Sequence, residues 1–282
     1  MTIVADSGST KTTWMVVETG NMIVTEGLNP HFTTDGQYRK RCREVVKALG
    51  ASEQLFFYGA GCGNAEQRQR VEGLLSQAFG TTQVAVATDM LGACRAVSGD
   101  SESLVGILGT GSNACYYDGD KIVSSATSTG YILGDHGSAN HAGRIFLQEY
   151  LTGLLPKETA EQFRAEYNLD DKEIMEAVYH SEHPNRFLAS VAPFVVKHGR
   201  DKHFDHILRT NFEQWIYFQI LPYINEVKCP TLNLVGGFAK AIEKKIRRYA
   251  ETTPFEIGMV VADPIKGLRR YHREHNLNIH TT

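Results

Sequence analysis

The most informative stretch of this chain is IVADSGSTKTTW, from Ile3 to Trp14. A short apolar run ends at Asp6, breaks into small residues, and re-enters an apolar run from Trp14 to Val17 that reads as a second strand. The turn carries four hydroxyl side chains, those of Ser7, Ser9, Thr10 and Thr12. Successive turn amides can also form a concave site for an anion. The stretch therefore predicts a hairpin whose turn binds an anion, with an ordinary polar hairpin as the alternative.

Composition places the chain among soluble globular proteins. Of its 282 residues, 42% are hydrophobic and 22% are charged, and the net charge is −3. This charge gives no electrostatic footprint for nucleic acid or for an anionic membrane. The five cysteines are odd in number and no pair has CxxC spacing, so neither a disulfide framework nor a zinc or iron–sulfur site is indicated. With no signal-peptide pattern at the N-terminus, we expect a cytoplasmic protein.

The first hundred residues alternate between strand and helix patterns. Strands are predicted at Ile3–Ala5, Trp14–Val17, Met22–Gly27, Leu55–Gly59 and Gln83–Thr88. Helices are predicted at Asp35–Leu49, at Asn64–Phe79 with Asn64 as the cap, and from about Met90 to Val97. Three strands followed by alternating strands and helices indicate a mixed sheet with covering helices, which is the α/β class.

A second unit of the opening type begins at Ser103. The strand Ser103–Leu108 ends in GTGSN (Gly109–Asn113) and is followed by the strands Ala114–Tyr117 and Ile122–Ser124. Two strand–turn–strand units about a hundred residues apart predict two similar halves. We therefore expect domains at residues 1–102 and 103–282.

The second half contains a predicted helical insertion at about residues 140–227. Its helices are Asn140–Leu155, Lys157–Tyr167, Asp171–His180, Asn185–Lys197 and a long Phe204–Val227, with Pro193 and Pro222 expected to kink or interrupt them. The remaining elements are a strand at Thr231–Val235, a helix from about Ala239 to Ala250, a strand at Gly258–Val261 and a closing helix at Ile265–His275. The closing helix, at about 265–275, is expected to pack back on the first domain.

Small-residue turns are predicted after four strand ends, at Asp6–Thr12, Gly109–Asn113, Gly134–Ser138 and Gly236–Gly237. Asp89 lies between the first two turns, at a strand-to-helix transition. Its simplest role is to cap that helix. A capping side chain also faces the end of the sheet where ligands of α/β proteins bind, so a catalytic role is compatible with capping.

In this order, the motifs DSGSTKT, TDMLGA, GTGSN, GYILGDHGS and LVGG resemble the BadF/BadG/BcrA/BcrD family and its N-acetylglucosamine kinase relatives. The resemblance spans Ile3 to about Gly267. It implies two ribonuclease-H-like domains of the actin-like ATPase type flanking a nucleotide cleft. It also implies an enzyme that uses ATP and Mg²⁺ to phosphorylate a small sugar, with a homodimer left open.

The resemblance implies roles for particular residues. Asp6 would hold Mg²⁺ through water, and Asp89 would be the catalytic base. The residues implied to bind ATP or its phosphates are Ser9, Thr10, Lys11, Gly109, Thr110, Gly111, Ser112, Gly236 and Gly237. The residues implied to bind the sugar are Asn29, Asp89, Thr110 and Asp135.

Three departures from the family pattern fall on the sugar side. His136 replaces the usual carboxylate after Asp135, Ser128 and Thr129 stand where a tryptophan is common, and the bend around Ala60 lacks a serine. Kinase chemistry is therefore better supported than the identity of the sugar. The resemblance implies that the acceptor is an amino sugar, N-acetylglucosamine at its 6-hydroxyl, with glucosamine or an N-acetylmuramic-type sugar as alternatives. An ATPase activator of a dehydratase and a non-catalytic sugar sensor are the alternatives of other classes.

Overall fold

The computed structural model describes residues 1–226 and 231–275; Val227 and Cys229 lie outside this part. Its strands are β1 (Thr2–Ser7), β2 (Lys11–Val16), β3 (Met22–Glu26), β4 (Gln54–Gly59), β5 (Val84–Thr88), β6 (Ser103–Leu108), β7 (Ser112–Tyr117), β8 (Ile122–Ser125), β9 (Thr231–Val235) and β10 (Glu256–Val261). Its helices are α1 (Asp35–Leu49), α2 (Ala65–Phe79), α3 (Asp89–Ser98), α4 (Gly130–Leu133), α5 (Ala139–Leu151), α6 (Lys157–Tyr167), α7 (Asp171–Tyr179), α8 (Pro184–Lys197), α9 (Lys202–Trp215), α10 (Gly237–Ala241), α11 (Glu243–Ala250) and α12 (Ile265–His275). Every predicted strand is present, with ends shifted by three residues at most.

Two mixed sheets repeat one topology. The first has the order β3-β2-β1-β4-β5, with β1 antiparallel to β2 and parallel to β4. The second has the order β10-β9-β6-β7-β8, with β6 antiparallel to β7 and parallel to β9. In each sheet a three-strand meander is extended by two parallel strands on the side of its first strand. The predicted internal repeat and the α/β class are confirmed.

The chain divides into two compact units. Unit 1 comprises Met1–Ser101, Asp118–Ile122 and the chain from Asp263 onward, and unit 2 comprises Glu102–Tyr117 and Val123–Ala262. Helix α12 lies in unit 1, where it packs against α3 and against strands β1 and β2. Arg269 of α12 donates to the carbonyl of Val17 at 2.7 Å.

Strand β4 shows how both faces of the first sheet are covered. Leu55 and Phe57 belong to the core beneath α1 and α2, where the ring centroids of Phe57 and Trp14 lie 5.8 Å apart. The alternate residue Phe56 faces the other side, where its ring centroid is 4.1 Å from that of His272. Because successive strand residues point to opposite faces, a strand covered on both sides reads as an unbroken apolar run.

The predicted helical insertion of unit 2 forms around an aromatic core. Phe146 of α5 contacts Phe163, Phe194 and Phe204 at centroid distances of 4.8, 5.4 and 5.9 Å. All four rings are buried. These contacts join α5, α6, α8 and α9, so the insertion packs as one cluster of helices.

Local predictions in this region need correction. The predicted helix Phe204–Val227 is α9 followed by a π-helical turn, Ile216–Ile220, and a 3₁₀ segment, Leu221–Glu226. Pro222 has no N–H to continue an α-helical ladder, which accounts for the change of helix type. Pro193, by contrast, does not end α8, whose neighbouring residues Phe194 and Val195 are buried.

Two further predictions differ from the structure. The turn Gly134–Ser138 follows the short helix α4 rather than a strand. The predicted helix Ala239–Ala250 is two helices, because Ile242 leaves the helical conformation with φ −108° and ψ 14° between α10 and α11. None of the helices among the described residues combines the length and apolar character needed to cross a membrane.

Candidate active site

The parallel strands of unit 1 bring several loops to one edge of the first sheet. Asp6 of β1 is in register with Tyr58 of β4, and Tyr58 with Ala87 of β5. Asp6 and Asp89 therefore both lie near the carboxyl ends of parallel strands, where α/β proteins bind ligands. Asn29 reaches the same region, because its Nδ2 donates to Ser9 Oγ at 3.3 Å.

The hydroxyl side chains of the first turn differ in their exposure. Ser7 and Thr12 are buried, face each other across the β1–β2 pair and share a hydrogen bond of 2.7 Å. Their hydroxyls therefore hold the hairpin together, and the expectation that they face a ligand is wrong. Thr10 and Lys11 are exposed at the tip. The turn itself is closed by a bond from Gly8 N to Lys11 O of 3.0 Å.

Lys11 has a partner that its local sequence does not indicate. Its Nζ lies 2.6 Å from Oδ2 of Asp263, and the same oxygen accepts from Thr13 Oγ1 at 3.2 Å. The other oxygen of Asp263 accepts from Ile265 N at 3.1 Å, at the start of α12. The ammonium group of Lys11 is half-exposed, so a phosphate can compete with Asp263 for it.

Asp6 lies in a strongly acidic environment. Its pKa is raised to about 8, first by burial and then by the carboxylates of Asp263 and Asp89, while Lys11 acts in the opposite direction. A cation beside these carboxylates would offset their repulsion and hold Asp6 ionised. The described residues contain no group of three potential metal ligands, so such a cation would take most of its ligands from water and from a bound anion.

Asp89 is not the cap of α3. That role belongs to Thr88, whose Oγ1 accepts from Leu91 N at 3.2 Å. Asp89 is the first helical residue, and its Oδ1 accepts from Met90 N at 2.9 Å. Burial raises the pKa of Asp89, and the hydrogen bond from Met90 opposes the shift. The carboxyl group is thus held at the edge of the sheet while Thr88 provides the cap.

The loop that carries Asn29 is held by an arginine that the sequence analysis missed. Arg70 of α2 donates to the carbonyls of Pro30 and Thr33 at 2.7 and 3.0 Å and to Asp35 Oδ1 at 2.7 Å. Oδ1 of Asn29 accepts from His31 N at 3.0 Å. Nothing local marks Arg70, because its partners lie on another element.

In unit 2, the second turn lies against the start of α5. The amides of Ala139 and Asn140 donate to the carbonyls of Gly109 and Thr110 at 2.9 and 3.1 Å. The turn carbonyls therefore satisfy helix-terminal amides that have no partner within the helix. The amides of Thr110 and Gly111 have no hydrogen-bond partner within residues 1–226 and 231–275. These are the donors that the turn can offer to an anion.

Asp135 is folded back on this turn. Its backbone adopts a left-handed conformation, with φ 54°. Its Oδ1 accepts from Ser112 N at 3.2 Å and its Oδ2 from Asn140 Nδ2 at 2.8 Å. Since each carboxylate oxygen can accept two hydrogen bonds, Asp135 can position the turn and still accept from a ligand hydroxyl.

The hydroxyl of Ser112 has two protein partners. It donates to the carbonyl of His136 at 2.6 Å and accepts from Nε2 of Gln219 at 3.2 Å. Gln219 in turn accepts from Nε1 of the buried Trp215 at 3.2 Å. Gln219 is a positioning residue that the sequence analysis missed, and Trp215 is a core residue as predicted.

Asn211 of α9 supports the neighbouring turn and was also missed. Its Oδ1 accepts from Gly137 N at 2.8 Å and lies 2.5 Å from Nδ1 of His141, while its Nδ2 donates to Ser138 O at 3.1 Å. Burial lowers the pKa of His141 to about 4, so the ring is neutral. The loop between α4 and α5 is therefore held from α9 and from the π-helical turn.

Gly236 and Gly237 differ in what surrounds them. Gly236 has φ 131°, and a side chain there would overlap the carbonyl oxygen of Leu108. At Gly237, the first residue of α10, an added methyl group would meet nothing within 4 Å. Gly236 is therefore required by the backbone, whereas Gly237 leaves open space.

The described cysteines show no common site. Cys42, Cys62, Cys94 and Cys115 are buried and form no disulfide, and the prediction for Cys229 falls outside the described residues. Burial raises the pKa values of the Cys42 and Cys62 thiols to about 12. Those two thiols are therefore protonated and poor metal ligands at neutral pH.

No protein-family model and no curated protein matches the chain. Among solved structures, the putative N-acetylglucosamine kinase from Porphyromonas gingivalis has a TM-score of 0.93 and 33% identity, covering 98% of this chain and 100% of that protein.

Two more distant structures show the fold. The putative N-acetylglucosamine kinase from Chromobacterium violaceum has a TM-score of 0.75 and 18% identity, covering 96% of this chain and 98% of that one. A ROK family glucokinase from Streptomyces griseus, in complex with glucose and AMPPNP, has a TM-score of 0.56 and 16% identity, covering 97% and 99%. The fold is the two-domain actin-like ATPase fold of sugar kinases. Because 33% of its residues are identical over the full length of the P. gingivalis protein, the chain belongs to that protein's family, the sugar kinases that transfer a phosphoryl group to an alcohol.

Proposed function

We propose that this protein is an ATP-dependent kinase that phosphorylates an amino sugar, with the 6-hydroxyl of N-acetylglucosamine as the expected acceptor. The observation that carries the proposal is the carboxyl group of Asp89, held at the edge of the first sheet while Thr88 caps the helix. An aspartate relieved of capping, with its pKa raised by burial, suits a general base. The names of the two N-acetylglucosamine kinase relatives support the choice of acceptor.

In this proposal Asp89 accepts the proton of the attacking sugar hydroxyl. Phosphoryl transfer depends mostly on positioning and on neutralising the charge of the phosphoryl group, so one well-placed base and several cationic or N–H groups suffice. Lys11 supplies a cation at the tip of the first turn, next to the exposed Thr10. Ser9 adjoins both and accepts from Asn29, which is expected to bind a sugar hydroxyl.

The residues of unit 1 fit a magnesium ion bound with ATP. When bound, MgATP supplies the transferable phosphoryl group and neutralises part of its charge. Asp6 would hold the ion through water. Since the pKa of Asp6 is about 8 without a cation, ion binding at neutral pH would release a proton from it.

For the residues of unit 2, the proposed roles follow the resemblance. The amides of Thr110 and Gly111 donate to phosphate oxygens, supported by Gly109 at the start of the turn. Ser112 acts through the turn rather than through its hydroxyl, which Gln219 and His136 occupy. Gly236 and Gly237 pack against the adenosine, and Asp135 accepts from a sugar hydroxyl.

The test is the substitution Asp89→Asn, which keeps size and removes the base. With magnesium, ATP and N-acetylglucosamine, kcat should fall by about 10²–10⁴-fold. The affinity for ATP, measured by calorimetry, should stay within about twofold. The matched control is Asp120→Asn, at an exposed position in the β7–β8 turn, which should retain full activity. Normal turnover in Asp89→Asn would refute the assignment of the base.

The acceptor and the alternatives are tested in the same assay. Glucosamine and an N-acetylmuramic-type sugar are run beside N-acetylglucosamine, and the highest kcat/KM identifies the acceptor. The dehydratase-activator alternative requires thiolate ligands for an iron–sulfur cluster, which the buried, protonated Cys42 and Cys62 do not favour. ATP binding without turnover on any of the sugars would instead favour the sugar sensor.

A further inference from the structure

The histidine that departs from the family pattern is stacked on an aromatic ring. The rings of His136 and Phe218 lie 4.5 Å apart between centroids, with an angle of 21° between their planes. His136 also meets His141 edge-on, at 4.8 Å and 72°. We call His136 and Phe218 the stacking pair. The family's carboxylate is thus replaced by part of an aromatic surface.

The π-helical turn explains why Phe218 reaches this position. Within Ile216–Ile220, Gln219 is buried and bonded to Ser112, while the preceding Phe218 points outward. Phe218 remains 53% exposed even though one face covers His136. Single π-helical turns occur frequently at functional sites. Here the π-helical turn places Gln219 against the Gly109–Asn113 turn and Phe218 on the surface.

The stacking pair adjoins the proposed sugar-binding carboxylate. Asp135 directly precedes His136, and the two residues are fixed by one partner, since Ser112 donates its amide to Asp135 and its hydroxyl to the carbonyl of His136. His136 is half-buried, and burial together with Arg144 lowers its pKa. A neutral, partly apolar surface therefore lies beside a charged hydrogen-bond acceptor.

We propose that the stacking pair is an aromatic wall of the acceptor site, and that it packs against the C–H face of the pyranose ring whose hydroxyl Asp135 binds. The inference rests on the proposed sugar-kinase function and adds two residues to it. Small-molecule sites combine apolar and aromatic walls with a few placed polar groups, and a pyranose presents both kinds of surface. The face of an aromatic ring carries partial negative charge and attracts the weakly positive C–H groups of a sugar.

The replacement has a consequence for selectivity. A site that hydrogen-bonds a hydroxyl rejects an analogue without it strongly, whereas an apolar wall discriminates far less. With His136 in place of the carboxylate and Phe218 stacked on it, this enzyme should tolerate changes at the sugar substituent next to the hydroxyls bound by Asp135. Its acceptor affinity should depend on an aromatic ring at position 218.

The experiment compares Phe218→Ala and Phe218→Tyr with Tyr217→Ala. Tyr217 is the control because it is 65% exposed and touches Phe218 edge-on, at 4.9 Å, without a stacking contact to His136. Steady-state KM is measured for N-acetylglucosamine and for ATP, and sugar affinity is measured independently by calorimetry. Circular dichroism verifies that each variant is folded.

We expect Phe218→Ala to raise the KM and the dissociation constant for the sugar by about 2–12-fold, the range that an aromatic contact contributes, while the KM for ATP is unchanged. Phe218→Tyr and Tyr217→Ala should behave like the wild type. Equal sugar affinities in Phe218→Ala and Tyr217→Ala would refute the proposal that the stacking pair contacts the sugar, without affecting the proposed kinase function. A parallel rise in the KM for ATP would also refute the proposed contact. A wild-type protein that neither binds nor phosphorylates a sugar would overturn both proposals.

Discussion

Gly236→Ala and Gly237→Ala form a matched pair that separates backbone requirement from ligand binding. The residues are adjacent, and both are proposed to pack against adenosine. Gly236 has a positive φ of 131° and no room for a side chain beside Leu108 O, whereas Gly237 is exposed with open space around it. One substitution should therefore affect folding and the other only the nucleotide.

The magnitudes follow from these surroundings. An alanine at the φ of Gly236 costs about 1–3 kcal/mol in backbone strain, and its overlap with Leu108 O adds about 1–3 kcal/mol. A loss of about 2–6 kcal/mol lowers Tm by about 4–24 °C at about 2–4 °C per kcal/mol. Gly237→Ala should instead stabilise the protein by about 0.4–1 kcal/mol, because alanine restricts the unfolded chain in a position that is already helical.

For ATP binding, the substitution expected to matter is Gly237→Ala. A methyl group added to Gly237 would occupy space that adenosine needs, and one misplaced methyl group in a close-fitting site costs about 1–3 kcal/mol. The KM for ATP should rise about tenfold or more, while the KM for the sugar is unchanged. A variant with higher Tm and weaker ATP binding has no explanation in a purely structural role.

Differential scanning calorimetry and steady-state kinetics provide the two readouts. If Gly237→Ala keeps the KM for ATP within about twofold of the wild type, its proposed contact with adenosine is wrong. An unchanged Tm in Gly236→Ala would contradict the backbone argument.

Two further predictions concern buried side chains. The pKa of His272, whose Nε2 is 2.9 Å from Tyr58 Oη, is lowered from 6.5 to about 3, chiefly by burial. Its contribution to the free energy of unfolding is therefore complete above pH 6.5 and is lost as the pH falls from 6.5 toward 3, because the unfolded chain then binds a proton that the folded chain does not. In urea titrations, the free energy of unfolding of His272→Gln should change with pH in this range by up to about 1.4 kcal/mol per pH unit less than that of the wild type. An unchanged pH dependence would contradict the lowered pKa. Gln219→Leu should lower the free energy of unfolding by about 1–3 kcal/mol, because Trp215 Nε1 then lacks an acceptor and Ser112 loses a donor. Wild-type stability in chemical denaturation would show that these hydrogen bonds contribute nothing to the free energy of unfolding.

The strand pattern was predictable because it is local. Each half opens with a strand, a small-residue turn and a second strand, and β6 and α1 have the bounds that hydrophobic periodicity predicts. Periodicity did not reveal the change of helix type after Trp215 or the break at Ile242. Hydrophobic periodicity does not register the missing N–H of Pro222 or the non-helical backbone angles at Ile242.

The residues of the candidate site were also predictable only in part. Asp6 and Asp89 were identifiable because each comes directly after a predicted strand, yet the capping role expected for Asp89 belongs to Thr88. Which of two adjacent residues caps a helix depends on the backbone angles at the junction. The sequence shows the hydroxyls of Ser7 and Thr12 in the turn, but only the cross-strand register places them against each other in the interior.

The sequence by itself determined the repeated α/β architecture, the positions of the turns and most of the candidate polar residues, because these depend on alternation, glycine content and spacing within a few residues. Only the tertiary structure paired Lys11 with Asp263, 252 positions away, and joined Gln219 to Ser112 across 107 positions. The stacking of His136 on Phe218 belongs with these contacts. Such pairs are set by how sheets and helices pack, which no local pattern encodes, and they decide which groups of the site remain available to a ligand.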